Sequence, residues 1–573
     1  MTNPAVEAAK EAQKRVDACL DEGRNFRLEA GAGAGKTYSL VEALKRLISE
    51  RGRELQRAAQ RVACITYTEV AREEIAQEIE QHPAILVQTI HAFCWGFMSR
   101  FQKDLRALVA ALEDKDKTAK IAEAGGVADQ TVEYQLGFFG IDEKRITLHH
   151  DDVPRFMAQL LDKPKFRALF AATYPVIFVD EYQDTDPHFM AALAEHFLAT
   201  GTGPRIGFFG DHWQTIYRSD YGLADYPSLE PIGKGSNFRS VPAVVDVLNA
   251  LRPELKQAVK DPEAVGEARF FHANSYTGER TSSSSSKNDT PPEVSRGFMA
   301  KLTERLKQDG WDLSSEKTKI LMLTHNAIAA ERGYPAIAKS YRYNDSFAKK
   351  EDPLIAFLVD TVEPMCRAFT EKRFGDMFRI LGNRPELSAH EDKVKWATDM
   401  AALADARASG SIGDVVDLLK GTGRPRLPDR IVRREQELAA AEDGAELPRS
   451  LQEHGLVRDA PYQELVRLAE FIEGQTPFAT QHSVKGAEFD NVIVVLGGGW
   501  NHYNWPQLLE LLGTGAITAK NEKGYYRARN LFYVAVSRPK KKLAVLATQT
   551  LSPTALQSAE KLFGSGNVIA LNL

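Results

Sequence analysis

Ala30-Gly31-Ala32-Gly33-Ala34-Gly35-Lys36-Thr37 is the stretch whose reading decides the fold. Before it, Phe26-Arg27-Leu28-Glu29 reads as a short buried strand. After it, Tyr38 to Ile48 places apolar residues at helical spacing. A strand, a turn of small residues ending in Gly-Lys-Thr, and a helix form the context of a phosphate-binding loop. Small side chains let the backbone N–H groups of Ala32, Gly33, Ala34 and Gly35 close on an anion, and the helix N-terminus adds its dipole. Lys36 then reaches the outer phosphates, and the Thr37 hydroxyl is placed for Mg²⁺. Ala30 stands where such a loop usually opens with glycine. A plain glycine-rich linker would need neither the Lys-Thr ending nor the flanking strand and helix.

Downstream, Arg61 to Thr68 reads as a second strand, followed by a charged helix with Ala71, Ile75 and Ile79 on one side. Ile85 to Phe93 reads as a strand running into Thr89-Ile90-His91. Pro175-Val176-Ile177-Phe178-Val179-Asp180-Glu181 is the clearest strand, an apolar run ending in two carboxylates. Nucleotide hydrolysis needs such a pair: Asp180 to hold Mg²⁺ opposite Thr37, and Glu181 to orient the attacking water as general base. Together with the loop, this points to ATP as the substrate. Another strand, Arg205 to Asp211, has Gln214 just beyond it, where a glutamine can sense a γ-phosphate. Arg239, in Asn237-Phe238-Arg239-Ser240, is a candidate phosphate clamp. Gln13, in the helix preceding the loop, is placed to read an adenine by paired hydrogen bonds.

The rest of the chain sets the domain plan. At 573 residues it is long enough for about three to four domains. Residues 96–165 are charge-rich and helical in pattern, and read as an insertion. Residues 273–295, with five consecutive serines, cannot bury a core and read as a mobile loop or linker. A strand resumes at Lys319 to Thr324. Residues 345–472 are helical in pattern and carry the basic cluster around Arg424 to Arg434. Strands return at Asn491 to Leu496 and Leu543 to Leu546. Cys19, Cys64, Cys94 and Cys366 are scattered, which argues against disulfides, zinc ribbons and iron–sulfur clusters and fits a reducing cytoplasm. No apolar run approaches the ~20 residues of a membrane span, so no membrane partner is expected. The net charge of −5 gives no global signal for nucleic acid, and a local basic groove stays open.

In order along the chain, AGAGAGKT, ITYTEVA, TIHAF, IFVDEYQDTD, FFGDHWQTIY, NFRS, TQHSVKGAEFD and NLFYVAVSR resemble the UvrD/Rep-like superfamily 1 DNA helicases. The resemblance extends to compact phage-defence types such as the helicase-like subunit of Gabija systems. It implies an α/β fold of two RecA-like P-loop domains with parallel central sheets, each carrying a mainly helical insertion. The first domain is expected over 1–95 and 166–240, with its insertion at 96–165. The second is expected over 241–344 and 473–573, with its insertion at 345–472. The resemblance gives Gln13 to the adenine, Lys36 and Thr37 to phosphate and Mg²⁺, and Asp180 and Glu181 to metal and water. It gives Gln214, Arg239 and Arg538 to the γ-phosphate, Arg538 from the second domain, and Glu488 to the ribose. Tyr67, Thr68, Thr89, His91, Tyr221 and His482 fall to the DNA strand.

Three departures bear on function. Ser219 and Asp220 stand where the family has a base-stacking aromatic and an arginine, leaving Tyr221 or Trp213 to substitute. Glu69-Val70 replaces Asn-Lys, and Pro539 follows Arg538 in place of alanine. Two functions follow as expectations. One is an ATP-dependent motor on single-stranded or partly duplex DNA, with 3′→5′ polarity implied by the resemblance. The other is a DNA-stimulated ATPase sensor that controls a partner nuclease.

Overall fold

The run Val176–Asp180 is apolar without alternation, so it belongs in a sheet covered on both faces. Every one of its residues is buried. Each fully buried valine, isoleucine or phenylalanine of this kind contributes about 1.5–3 kcal/mol. The computed structural model describes residues 3–135, 138–216, 226–284, 286–381, 389–441 and 447–573. Tyr221 and the whole stretch 217–225 lie outside these described residues. The chain divides into two units, Met1–Glu267 with Thr518–Lys541, and Ala268–Ile517 with Lys542–Leu573.

In chain order, the first unit begins with β1 (Asn25–Ala30), β2 (Val62–Thr66) and β3 (Ile85–Thr89). Then come β4 (Thr131–Tyr134), β5 (Gly140–Ile141), β6 (Arg145–Leu148), β7 (Val176–Asp180), β8 (Arg205–Gly210) and β9 (Leu229–Lys234). The short pair β10 (Ser236–Asn237) and β11 (Ala258–Val259) follows. The main sheet has the order β3-β2-β7-β8-β1-β9, and every neighbouring pair is parallel. All carboxyl ends therefore reach one edge, where α/β sheets bind ligands. Helix α1 (Pro4–Asp21) is capped by the Asn3 side chain, and α2 (Lys36–Arg57) starts directly from the loop.

The second unit's sheet is built from β12 (Glu267–His272), β13 (Thr318–Met322), β14 (Phe478–Thr480), β15 (Phe489–Leu496), β16 (Pro539–Ala547) and β17 (Val568–Ala570), with Glu267 and residues 539–541 at the division between the units. Their order is β14-β13-β15-β16-β12-β17, with β13 parallel to β14 and β15. Helices from His325–Arg332 to Tyr462–Ile472 build a separate apolar cluster around residues such as Leu358, Val362, Ile412 and Leu465. The molecule is thus α/β with two RecA-like units and helical insertions. Among the described residues, no helix is long and apolar enough to cross a membrane.

Three features differ from the expectations above. Residues 96–165 include a small sheet, β6 pairing parallel with β4 and antiparallel with β5. Strands this short carry too little alternation to read from sequence. Residues 273–295 are not a loose linker. Arg280 donates to the Thr548 and Ala273 carbonyls at 2.9 and 2.7 Å, and Thr550 N–H donates to Asn288 O at 3.1 Å. Finally, residues 518–541 belong to the first unit. Helix Glu522–Val536 is buried continuously from Ala528 to Val536. Its Asn530 amide donates to the His212 and Thr215 carbonyls at 3.2 and 3.0 Å. An apolar stretch is visible in the sequence, but the turn it packs on is not.

Candidate functional site

The loop between β1 and α2 turns through two left-handed glycines, Gly33 and Gly35, with φ of +76° and +72°. A Cβ at Gly33 would stand 2.8 Å from Cβ of Arg239, so both conformation and space demand glycine. The loop carbonyls are held from outside. Asn237 and Gln257 both donate to Ala32 O at 3.1 Å, Phe238 N–H to Gly33 O at 2.8 Å, and Ser236 to Ala34 O at 3.0 Å. With its carbonyls tied back, the loop offers its N–H face to an anion. One N–H is already used, since Ala32 N–H donates to the Tyr533 hydroxyl at 3.1 Å.

β7 delivers the carboxylates opposite this loop. Lys36 Nζ lies 2.5 Å from Glu181 Oε1 and 3.9 Å from Asp180 Oδ1. Burial works against the Lys36 charge, but Glu181 and Asp180 outweigh it and hold the ammonium above the ordinary lysine range. Glu181 has φ of +48°, a left-handed conformation that costs a non-glycine residue about 1–3 kcal/mol. That strain turns its carboxylate off the strand and onto Lys36. Burial, reinforced by Glu181 and opposed by Lys36, pushes the Asp180 carboxyl up to about 6. Its Oδ1 is fully buried and accepts no hydrogen bond. An orphaned anionic oxygen at the loop's own sheet edge has the chemistry a divalent cation would satisfy.

Gln214 follows β8 and is oriented by Asp211, whose Oδ2 accepts from Gln214 Nε2 at 2.8 Å. The other Asp211 oxygen accepts from Arg252 at 2.6 Å. Glu29, at the end of β1, links the same turns. Tyr182 donates to it, and His212 Nδ1 lies 3.0 Å from its Oε2. Although burial opposes the charge, His212, Tyr182 and Arg252 hold Glu29 down at about 2. Asp211, Arg252 and Glu29 are site residues that sequence reasoning missed; Asp211 lies within FFGDHWQTIY without a role assigned to it, and no motif marks Arg252 or Glu29.

Arg239 and Arg538 stand together in the first unit. Arg239 Nη1 donates to Ser537 O at 3.1 Å, while Arg538 donates to Val534 O and Ser537 Oγ, both at 2.8 Å. Arg538 was expected from the second domain; it lies instead just after helix Glu522–Val536, in the segment Thr518–Lys541 that belongs with the first unit. Burial and the neighbouring Arg239 push its guanidinium down to about 9, with Glu181 and Asp211 acting the other way. Two adjacent guanidiniums of this kind are stabilised by an added anion.

Beyond the loop lies a pocket of about 510 Å³ lined by Gln13, Tyr38, Phe238, Lys234, Lys10 and Glu42, among others. Gln13 donates to Asp17 at 3.1 Å, and its Oε1 is buried without a hydrogen-bond partner. A base can supply that partner while Tyr38 and Phe238, both exposed, offer ring faces. Glu488 is not in this unit; it lies exposed just before β15.

The strand-contact candidates fall into two groups, one in each unit. Tyr67, Thr68, Thr89 and His91 gather at the carboxyl ends of β2 and β3, where Thr66 pairs with Thr89. Tyr67 is exposed, whereas Thr68 spends its hydroxyl capping the helix that follows, accepting from Ala71 N–H at 3.2 Å. His91 stacks on His150 with ring centroids 3.4 Å apart, and burial together with His150 pushes it down to about 4. It is neutral at physiological pH and offers a ring rather than a charge. In the second unit, His482 bonds the Tyr503 hydroxyl at 2.8 Å beside the half-exposed Trp500. These rings edge a cavity of about 330 Å³ with Thr324, Asn326 and Asn344. Trp500 had no motif to announce it. Trp213 cannot stand in as a stacking platform, because it is buried between Arg529, 3.7 Å from its ring, and Tyr533.

A phosphate loop, a strained carboxylate beside its lysine, and paired arginines on a parallel sheet define a P-loop nucleotide hydrolase. Two family models match the chain, the AAA domain over residues 13–220 and the UvrD-like helicase C-terminal domain over residues 453–550, and together they support an ATP-hydrolysing helicase of the UvrD-like kind. It is similar to Gabija protein GajB of Bacillus cereus (strain HuB5-5), with 22% identity over 684 aligned residues. That alignment covers 94% of this chain and 95% of the relative.

Proposed function

We propose that this helicase is a DNA motor of antiviral defence that couples ATP hydrolysis to 3′→5′ stepping on single-stranded DNA beside a partner nuclease. The gathering of Lys36, Glu181, Arg239 and Arg538 around one loop carries the hydrolytic part of this reading. The similarity to Gabija protein GajB supports the defence setting and the partner.

Thr37 and Asp180 hold Mg²⁺, which when bound neutralises charge on the phosphate oxygens. Before nucleotide arrives, Lys36 and Glu181 satisfy each other at 2.5 Å. A phosphate on the loop competes for Lys36 and frees Glu181 to accept the proton of the attacking water. Arg239 and Arg538 stabilise the charge that develops on the transferred group. Gln13 orients the base, and Gln214 reports the γ-phosphate through Asp211. Tyr67, Thr68, Thr89 and His91 in the first unit, and separately His482 in the second, are the strand contacts, and the tyrosine and histidine rings can stack on bases without reading sequence.

A second reading, an ATPase sensor that controls the nuclease and unwinds poorly, is favoured by one observation: Trp213 is packed inside and cannot replace the missing aromatic. Base stacking is worth about 1–3 kcal/mol per base, so its loss loosens the grip. DNA-stimulated ATPase and strand displacement, measured side by side on the purified chain with 3′- and 5′-tailed duplexes, decide between them. Displacement of the 3′-tailed substrate supports the motor. ATPase without displacement supports the sensor, and absence of DNA stimulation overturns both.

A further inference from the structure

Lys234 ends β9 in phase with Ile232 on the buried side of the strand, and only 1% of its surface is exposed. Its ammonium donates to Gly35 O and to Ser39 Oγ, both at 2.7 Å. Neither partner carries charge. Among the described residues no carboxylate lies within ion-pair distance of it, although Glu42 lines the same pocket. A buried cation with only neutral partners is costly, and a lysine is not needed merely to tie a strand to a loop. Burial pushes this ammonium down to about 8, with no neighbouring charge opposing the shift.

The position says what would complete it. Lys234 lines the pocket between its two ends: Gln13 and the Tyr38 and Phe238 rings on the nucleoside side, and Gly35 at the mouth of the phosphate loop. The ammonium has three donors, and two are committed to Gly35 and Ser39. We propose that Lys234 is a nucleotide-binding residue whose third N–H takes the phosphate nearest the nucleoside. Lys36 serves the outer phosphates from the other side of the turn, so the two lysines divide the polyphosphate between them. The inference rests on the nucleotide reading of this site.

The test is titration of the full chain with ADP, AMP and adenosine, comparing wild type, Lys234→Met and Lys234→Arg, beside thermal melts without nucleotide. A charge-assisted bond lost to methionine should weaken ADP and AMP about tenfold, while adenosine changes less than about twofold. Arginine should restore most of the loss. Because methionine removes an uncompensated buried charge, the nucleotide-free melting temperature should hold or rise. Unchanged ADP and AMP affinity, or equal weakening of adenosine, overturns the assignment. So does a Lys234→Met protein that melts well below wild type, which would make the lysine a strut. Wild type that binds neither ADP nor AMP overturns the nucleotide reading itself, and this assignment with it.

Discussion

The two sheets end in different ways at their carboxyl edges. In the first unit, β1 runs into a glycine turn whose carbonyls are tied back and whose surroundings are cationic: Lys36, Lys234, Arg239 and Arg538. In the second, β15 runs into Gly497-Gly498-Gly499, and the turn is already satisfied from within. The Asp289 carboxylate accepts from Gly498 N–H at 2.5 Å and from Thr290 N–H at 2.9 Å. It walls a cavity of about 260 Å³ with Thr281, Thr290 and Thr548. One edge asks for an anion from solution, and the other supplies its own through the 273–295 segment. The comparison shows that a parallel sheet offers the same kind of place twice, and the side chains decide whether it becomes a site.

The carboxylates of the two edges differ in the same sense. Glu29 is buried among His212, Tyr182 and Arg252, and its pKa falls to about 2. Asp289 is buried among N–H and hydroxyl groups, and burial outweighs them, so its pKa rises. Their contributions to stability therefore run in opposite directions with pH.

The comparison can be broken most sharply at the first edge. Lys36→Ala and Glu181→Gln should each abolish ATP turnover, the second while still trapping nucleotide, as read by ATPase assay and filter binding. Near-normal turnover in either would remove the catalytic contrast between the edges. Arg538→Ala should lower turnover by roughly 10³-fold with a smaller change in ATP affinity, as loss of an arginine finger does. A kcat close to wild type would show that its packing on Val534 and Ser537 is its whole role.

Smaller effects sharpen the electrostatic half of the contrast. Glu29 is depressed from 4.5 to about 2, so its stabilisation is present above pH 4.5 and lost as pH falls toward 2. Glu29→Gln should then cost up to about 3 kcal/mol at pH 7 and flatten the acid limb of thermal melts run from pH 3 to 8. An unchanged acid limb would mean His212 and Arg252 do not favour the charge. Asp289→Asn keeps an acceptor for Gly498 N–H, so its cost near neutral pH should stay below about 1 kcal/mol. Since the Asp289 pKa is raised, stability is lost as pH rises through it, and asparagine should remove that decline. A variant that unfolds would show that the carboxylate charge itself holds the second edge.

Much of this was legible in the residues. The loop and the Asp180-Glu181 strand end follow from local spacing, because each lies on one short segment with its own periodicity. So do the helical character of 345–472 and the identity of Lys36, Thr37, Asp180 and Glu181. Lys234 was half visible, as a lysine in phase with buried Ile232, but nothing in the order of residues says that its ammonium meets Gly35 O across 199 positions of chain. The 273–295 segment misled for the opposite reason. Its composition reads as loose, yet Arg280, the buried Asp289 and the packing of Ala273, Tyr276 and Val294 on the second unit's core hold it.

The sequence by itself determined the α/β class, the chemistry of the phosphate loop and the residue types that hydrolysis requires, since these depend on neighbours a few positions apart. Only the tertiary structure decided that helix Glu522–Val536 packs on the turn holding His212 and Thr215, and that Arg538 stands beside Arg239. It alone decided that Trp213 is packed away and that a second lysine lies under the loop. Those outcomes depend on which buried surfaces meet across hundreds of residues. Hydrophobic burial is non-directional, so the apolar pattern of a helix states that it will be covered and not by what.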